Sequence, residues 1–141
     1  MRFNLSSRVF IFILLLSPLT ITGNFQNVFG ADLTPVADLT GQWSGFAQVT
    51  ITITNPKDSS SDVYGIKLTT TSGKIKNYVK VNGWDHKRIN DNTVSYQTKS
   101  SPLGQSDVIK IKLKVDAKKP EITWNAYSKD QKSLGTGKVK P

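Results

Sequence analysis

Hydrophobic and polar residues alternate strictly in two stretches of the chain. In residues 47–54 every second residue is Ala, Val or Ile, and the residues between them are Gln or Thr. Residues 108–116 repeat the pattern, with Lys110, Lys112 and Lys114 between aliphatic residues. A period of two is typical of a β-strand with one buried face. The pattern therefore predicts two strands, each with an apolar face packed against a core.

Five shorter stretches alternate less regularly. They are residues 64–68, 74–81, 92–99, 121–127 and 134–139, and segments rich in Ser, Pro, Asp and Gly separate them. No stretch after residue 30 has the period of an amphipathic helix. Short strands separated by turns predict an all-β fold, an antiparallel immunoglobulin-like β-sandwich of about seven strands.

The first 30 residues have the pattern of a secretory signal peptide. Arg2 and Arg8 precede an apolar run over residues 9–22, and small residues follow at Gly23 and Gly30. This order predicts cleavage after Gly30, with cleavage after Gly23 as an alternative. Ser, Pro and Thr break the run, which is short for a membrane span, so a retained membrane anchor is the weaker interpretation.

The predicted domain organisation follows from this leader. Residues 1–30 are the signal peptide, residues 31–39 a lead-in linker and residues 40–141 the β-sandwich. The mature protein is then expected outside the cell or at the cell surface, with no membrane insertion after cleavage. The chain has no cysteine, so its stability must come from packing without disulfides.

The chain is strongly basic. Its net charge is +9, or about +7 once Arg2 and Arg8 are removed with the leader. Such a charge attracts nucleic acid, anionic lipid or acidic glycans. Predicted export argues against a nucleic-acid partner. So does the single remaining arginine, Arg88, because arginine is the residue best suited to bidentate phosphate contacts.

Catalytic and metal-binding chemistry has little support in the sequence. His86 is the only histidine, Glu121 is the only glutamate, and the aspartates lie mostly in predicted loops. No spacing matches a catalytic triad or a calcium-binding loop. We therefore predict a protein that is not an enzyme and that needs no metal or other cofactor.

Alternation predicts the position of Trp124 but leaves the directions of Trp43 and Trp84 partly open. Trp124 alternates with Ile122 and Ala126, which predicts a core position. Trp43 points inward if one unbroken strand runs from it through Val49. It points outward if a bulge forms at Gly45, because glycine is common at bulges.

Trp84 follows the strand predicted over residues 74–81. Ile75, Val79 and Val81, the apolar residues of this strand, are predicted to point inward. The lysines and Tyr78 between them are predicted to point outward, and Trp84 has their parity. A continued strand therefore predicts that Trp84 projects outward. The turn dipeptide Asn82-Gly83 is the alternative, because it can redirect the chain first.

Short motifs occur in a fixed order over residues 41–113. They are Gln42-Trp43, Thr54-Asn55, Val63–Gly65, Ser72–Ile75, Trp84, Asn92–Val94 and Pro102–Ser106. In order and spacing they resemble the family 2 carbohydrate-binding modules, which attach secreted glycoside hydrolases to cellulose, chitin or xylan. The resemblance implies a β-sandwich whose flat face carries a row of exposed tryptophans.

The resemblance also implies a binding site. Trp43 and Trp84 match the binding aromatics, and Gln48 and Asn82 match polar residues beside them. Where the family has a third tryptophan, residues 99–104 contain no aromatic residue. The expected function is a secreted, non-catalytic polysaccharide-binding module. Its expected partner is cellulose, chitin or an acidic extracellular glycan.

Two other functions fit the same sequence. One is a structural or adhesive cell-surface β-sandwich without glycan specificity. The other is a basic module that docks on anionic lipid or polymer through strand lysines, namely Lys74, Lys76, Lys80, Lys110, Lys112 and Lys114. Salt dependence distinguishes the lysine-docking module from the glycan-binding module. Binding driven by lysine weakens as ionic strength rises, whereas stacking on tryptophan does not.

Overall fold

The computed structural model of the protein describes residues 33–141, so the predicted signal peptide lies outside the described residues. This part of the chain contains nine β-strands and no helix. The strands are β1 (Thr34–Trp43), β2 (Phe46–Thr54), β3 (Gly65–Thr70), β4 (Ile75–Tyr78), β5 (Asp85–Asn90), β6 (Thr93–Gln97), β7 (Val108–Val115), β8 (Ile122–Tyr127) and β9 (Ser133–Val139).

The strands form two antiparallel sheets. The four-stranded sheet has the order β1-β2-β7-β4, and the five-stranded sheet has the order β9-β8-β3-β6-β5. Each sheet turns one apolar face towards the other, and the side chains between them form the core. The predicted antiparallel β-sandwich is therefore confirmed, although residues 33–141 form nine strands where seven were expected.

The two strictly alternating stretches lie at the centre of the four-stranded sheet. β2 and β7 pair so that Ile51 is opposite Ile111 and Val49 is opposite Leu113. All four side chains are fully buried. Burying an aliphatic side chain of this size contributes about 1.5–3 kcal/mol, so this pair of strands supplies much of the hydrophobic stabilisation.

Trp124 occupies the core position predicted for it. Its indole is buried within the apolar cluster between the sheets. Gly135 and Gly137 on the neighbouring strand β9 leave room for the ring, because a Cβ atom on either would lie 3.0 Å from it.

Strand β1 corrects the predicted boundary of the domain. Residues 34–39, which belong to the predicted lead-in linker 31–39, are paired with β2 as the first part of β1. β1 is an edge strand, and Ala37 is its only buried residue. Its sequence therefore lacks the alternation by which a half-buried strand is recognised.

Strand β5 lacks alternation for the same reason. It forms the edge of the five-stranded sheet, and all its residues are exposed. His86 and Arg88 share the inner side of this edge with the buried partners Tyr96 and Val94. Charged residues that point inward on an edge strand disfavour pairing with another chain.

A bulge in β4 changes the side of the sheet on which its later residues lie. Ile75 is opposite Val115 and Asn77 is opposite Lys114, so Lys76 is the extra residue. A bulge of one residue shifts the alternation by one position. As a result Tyr78 packs against the core and Val79 is 49% exposed. The prediction that Val79 lies inward and Tyr78 outward is therefore wrong.

Candidate binding face

The outer side of the four-stranded sheet is the candidate functional site. Its strand register aligns side chains in rows across the sheet. We call this surface the outer face, and it consists of the rows Gly41–Gln48–Lys114–Asn77, Asp38–Thr50–Lys112 and Val36–Thr52–Lys110, together with Trp43, Phe46 and Val79.

Trp43 is on the outer face because β1 ends in a tight hairpin. Trp43 pairs with Phe46, and the two-residue connection between them is Ser44-Gly45. Gly45 has a φ of +77°, a conformation that glycine adopts without steric cost. Trp43 and Val49 therefore belong to different strands. The open question of its direction is settled, since Trp43 is 52% exposed.

The indole of Trp43 lies against the sheet. A Cβ atom built on Gly41 would fall 2.9 Å from Cη2 and 3.3 Å from Cζ3 of the ring, and 3.4 Å from the Cβ atom of Gln48. Gly41 thus gives the ring the space to approach the backbone of β1. An exposed aromatic ring held against a flat sheet is a platform on which another flat group can stack.

Lys114 completes an aromatic and cationic cluster. Its Nζ atom lies 5.3 Å from the ring centroid of Trp43 and 5.1 Å from that of Phe46. Both distances fall within the range of cation–π attraction, which contributes about 0.5–1 kcal/mol at exposed sites. Attraction of this kind holds the ammonium group over the Trp43 and Phe46 rings.

Gln48 lies beside this cluster, where the resemblance placed it. It is opposite Gly41 on one side and Lys114 on the other. Its Nε2 atom donates a hydrogen bond to Oγ1 of Thr40 at 3.3 Å, and Thr40 Oγ1 is 3.1 Å from Thr50 Oγ1. The amide is therefore positioned by a short polar network at the edge of the platform.

Trp84 is not on the outer face. It is only 7% exposed and belongs to the core cluster. The backbone N–H of Trp84 donates to the Val81 carbonyl at 3.0 Å. Gly83 has a φ of +82°, as the third residue of a type II turn requires. This turn carries the chain from one sheet to the other and directs the indole between them. The prediction that Trp84 projects outward is therefore wrong, and a buried indole offers no surface for stacking.

Asn82 lies in the same turn and is exposed. The turn follows β4, at the opposite edge of the four-stranded sheet from β1 and Trp43. Three strand spacings of about 4.8 Å separate these edges, a distance of about 14 Å. Of the four residues predicted for the site, the structure therefore brings together only Trp43 and Gln48.

Gly41, Phe46 and Lys114 also contact this cluster, although the sequence did not identify them as residues of the site. A usable signal was present, because Ser44-Gly45 between Trp43 and Phe46 is a turn dipeptide between two strands. A hairpin at that point places Trp43 and Phe46 directly opposite each other. Lys114 then follows from the pairing of β2 with β7, which alternation alone does not specify.

A second cluster of aromatic and cationic groups lies at the β4–β5 edge. The rings of Tyr78 and His86 meet edge to face, with centroids 5.2 Å apart, and the Arg88 guanidinium carbon lies 5.4 Å from the Tyr78 centroid. Tyr96 donates from its hydroxyl to the Val79 carbonyl at 2.8 Å. Burial, and secondly the neighbouring Tyr78, raise the pKa of Tyr96 well above its ordinary value. These contacts join the two sheets and give His86 a packing role.

One end of the sandwich has an open cleft of about 670 Å³. Leu39, Gln42, Lys118 and Glu121 are among the residues that line it. The Glu121 carboxylate accepts a hydrogen bond from Thr71 and lies 3.5–3.9 Å from the ammonium groups of Lys138 and Lys140. The Glu121 carboxylate is therefore already paired with neighbouring side chains.

Two further findings apply to residues 33–141. The His, Asp and Glu side chains of this part of the chain form no group of three or more that could hold a metal ion. No helix suited to crossing a membrane occurs among these residues.

Comparisons with known proteins bear on the fold. No protein-family model matches the chain, and no curated protein is similar to it in sequence. A solved structure of a DUF4466 family protein from Parabacteroides merdae is similar, with a TM-score of 0.53 and 6% sequence identity. That similarity covers 79% of this chain but 44% of the other, so this chain spans less than half the length of the Parabacteroides protein.

Two smaller β-sandwiches match along most of their length. The collagen-binding subdomain ACE19 of the Enterococcus faecalis surface protein ACE gives a TM-score of 0.46 at 14% identity, covering 77% of this chain and 96% of that one. A non-cellulosomal cohesin from Archaeoglobus fulgidus gives 0.46 at 14% identity, covering 78% and 91%. At such identities the likeness concerns the fold alone, and the functional interpretation depends on the outer face.

Proposed function

We propose that this chain is an exported, non-catalytic polysaccharide-binding domain whose site is the outer face, centred on Trp43. The observation that carries the proposal is the exposed indole held against Gly41 and Gln48 on the outer face. A sugar ring presents a face of C–H groups to an indole and directs its hydroxyls towards polar groups at the edge. Gln48 and Thr40 supply such groups, and the buried Thr50 holds Thr40 in place through their paired hydroxyls.

The strength of this contact follows from its area. A sugar ring that removes some tens of Å² of Trp43 from water contributes about 1–2 kcal/mol at ~25 cal/mol/Å². The costs of association leave weak binding to a single short oligosaccharide. A polymer that presents the same unit repeatedly raises the apparent affinity.

The single exposed tryptophan also indicates whether the ligand is an individual polysaccharide chain or a crystalline surface. The resemblance to family 2 carbohydrate-binding modules implies a row of tryptophans, and the burial of Trp84 leaves Trp43 as the only exposed tryptophan in residues 33–141. Several coplanar rings are needed to grip a flat crystalline surface. We therefore propose that this domain binds individual polysaccharide chains in preference to crystalline cellulose.

The experiment that tests this function is a binding assay with Trp43→Ala. Wild type is incubated with amorphous cellulose and chitin and run through gels containing soluble polysaccharides, and bound protein is measured. Loss of about 1–2 kcal/mol predicts a 5- to 30-fold weaker affinity for Trp43→Ala. Ile89→Ala is the matched control, because Ile89 is similarly exposed on the other sheet.

Two outcomes would contradict the proposal. In one, wild type binds no polysaccharide, which would leave the structural or adhesive interpretation. In the other, Trp43→Ala and Ile89→Ala bind as wild type does, which would move the site away from the outer face.

A further inference from the structure

We infer that the polysaccharide bound by the outer face is anionic, with carboxylate or sulfate groups that contact Lys110, Lys112 and Lys114. This inference rests on the proposed function and adds the chemical class of the ligand. Its basis is a row of three lysines on the outer face, next to the aromatic cluster.

The three lysines lie in one line along the middle of the sheet. Alternate residues of a strand are about 6.8 Å apart, so the row is about 14 Å long. The β2 residues opposite Lys110, Lys112 and Lys114 are the neutral residues Thr52, Thr50 and Gln48. The row therefore presents three positive charges on a flat surface.

Protection of a sheet edge does not explain these lysines. Lysine is common on edge strands, where it prevents pairing with another chain. β7 is an interior strand with β2 on one side and β4 on the other. The three ammonium groups instead give the outer face a positive potential, which attracts an anionic ligand.

Within residues 33–141, no carboxylate forms an ion pair with the row. The ion pairs found in residues 33–141 join Lys74 to Asp91, and Lys138 and Lys140 to Glu121. Asp38, the carboxylate of the outer face, is on β1, which is two strands or about 10 Å away from β7. Asp116, at the end of β7, accepts a hydrogen bond from the Lys74 backbone.

Lys114 joins the row to the aromatic platform. Its ammonium group is 5.3 Å from the Trp43 ring centroid. A sugar that stacks on Trp43 and carries a negative group at its rim contacts the indole and the ammonium group together. A neutral sugar contacts the indole but forms no ion pair with the ammonium group. This difference is the basis of the expected preference for anionic over neutral polysaccharides.

Nucleic acid is the other anionic polymer that stacks on aromatic rings, and the outer face suits it less well. Single-strand binding proteins combine a charged groove with several aromatic side chains, one for each of successive bases. The outer face has one exposed tryptophan and a row of lysines in place of arginines, which would grip phosphate in a bidentate manner.

The test compares two forms of one polymer. Polygalacturonate carries a carboxylate on each sugar, and its fully methyl-esterified form has the same backbone without the charge. Dissociation constants are measured at low salt for wild type, for Lys110→Gln/Lys112→Gln/Lys114→Gln, and for the control Lys87→Gln/Lys99→Gln/Lys132→Gln. The control removes the same charge from exposed lysines on the five-stranded sheet and its loops.

We expect wild type to prefer polygalacturonate over its ester and to lose that preference as salt is added. Loss of three exposed ion pairs predicts that the outer-face triple variant weakens polygalacturonate binding by about 3- to 150-fold. The control triple variant should weaken it by less than threefold. Single Lys112→Gln should give an intermediate loss, which guards against a folding defect in the triple variant.

The inference would be overturned by equal affinity for the two polymers, by equal losses in the two triple variants, or by tighter binding of single-stranded oligo-dT than of polygalacturonate. Failure of the proposed function is distinguishable from these results. It would show as binding of neither polymer, or as no effect of Trp43→Ala on the one that binds.

Discussion

At the scale of single residues, the two candidate tryptophans have opposite positions because of the turns beside them. Ser44-Gly45 ends β1 and leaves Trp43 on the outer face, whereas Asn82-Gly83 turns the chain between the sheets and buries Trp84. Both turns contain a glycine with positive φ. The environment of a tryptophan therefore depends on which sheet the chain enters after the turn, and this is a long-range property.

Gly41→Ala tests the platform without removing the tryptophan. Gly41 has a negative or extended φ, so alanine adds no backbone strain, but its Cβ atom would lie 2.9 Å from the indole. We expect the ring to move off the sheet and polysaccharide affinity to fall several-fold. The free energy of unfolding should change by less than about 1 kcal/mol, as for most surface substitutions.

The measurements are a binding titration and a urea denaturation curve. Gly65→Ala is the matched control, because its Cβ atom would meet only ordinary contacts at 3.6 Å or more, on the five-stranded sheet. Unchanged affinity in Gly41→Ala would show that the position of the indole against β1 is unimportant for binding.

At the scale of strands, the sandwich is held together at the β4–β5 edge by Tyr96. Its hydroxyl donates across the core to the Val79 carbonyl, which follows β4 in the other sheet. Tyr96→Phe removes this donor and should lower the free energy of unfolding at pH 7 by about 1–2 kcal/mol. Urea denaturation at pH 7 measures this loss.

The raised pKa of Tyr96 adds a dependence on pH. Above about pH 10 the unfolded chain ionises this tyrosine while the folded chain keeps it protonated, so the folded state loses stability as pH rises. The loss approaches 1.4 kcal/mol per pH unit for one group. Since Tyr96→Phe lacks this group, the gap in stability between wild type and variant should narrow between pH 9 and 11. A constant gap would contradict this account.

Strands with one buried face could be predicted from the sequence, and the others could not. β2, β7 and β8 alternate because one side of each packs in the core. β1 and β5 are edges with almost no buried residue, so their sequences carry no period. The bulge at Lys76 then reverses the parity of Tyr78 and Val79, and nothing in the local sequence distinguishes it from a regular strand.

The same reasons explain which part of the site was predictable. The order of the motifs predicts Trp43 and Gln48. It leaves the direction of Trp43 open, because the turn at Ser44-Gly45 is considered only as a bulge. The neighbours of Trp43 depend on register, since Lys114 approaches it only because β7 pairs with β2. Pairing partners are chosen by the whole fold, and their identity is not encoded in either strand alone.

At the scale of the whole molecule, the two faces of the four-stranded sheet have separate tasks. The inner residues of β2 and β7 are all aliphatic and buried, and they supply much of the stability that a chain without disulfides requires. The outer face can then carry a tryptophan and three lysines that contribute nothing to the core. The separation lets a small domain present a charged binding face without disturbing its core.

Mapping a ligand by NMR on a ¹⁵N-labelled protein tests the central claim most directly. On titration with short oligogalacturonates, we expect the indole N–H signal of Trp43 and the backbone signals of Gly41, Gln48 and Lys114 to shift together. The indole signals of Trp84 and Trp124, which are buried, should stay in place. Shifts confined to the cleft around Leu39, Lys118 and Glu121, or to β5, would contradict the assignment of the outer face as the binding site.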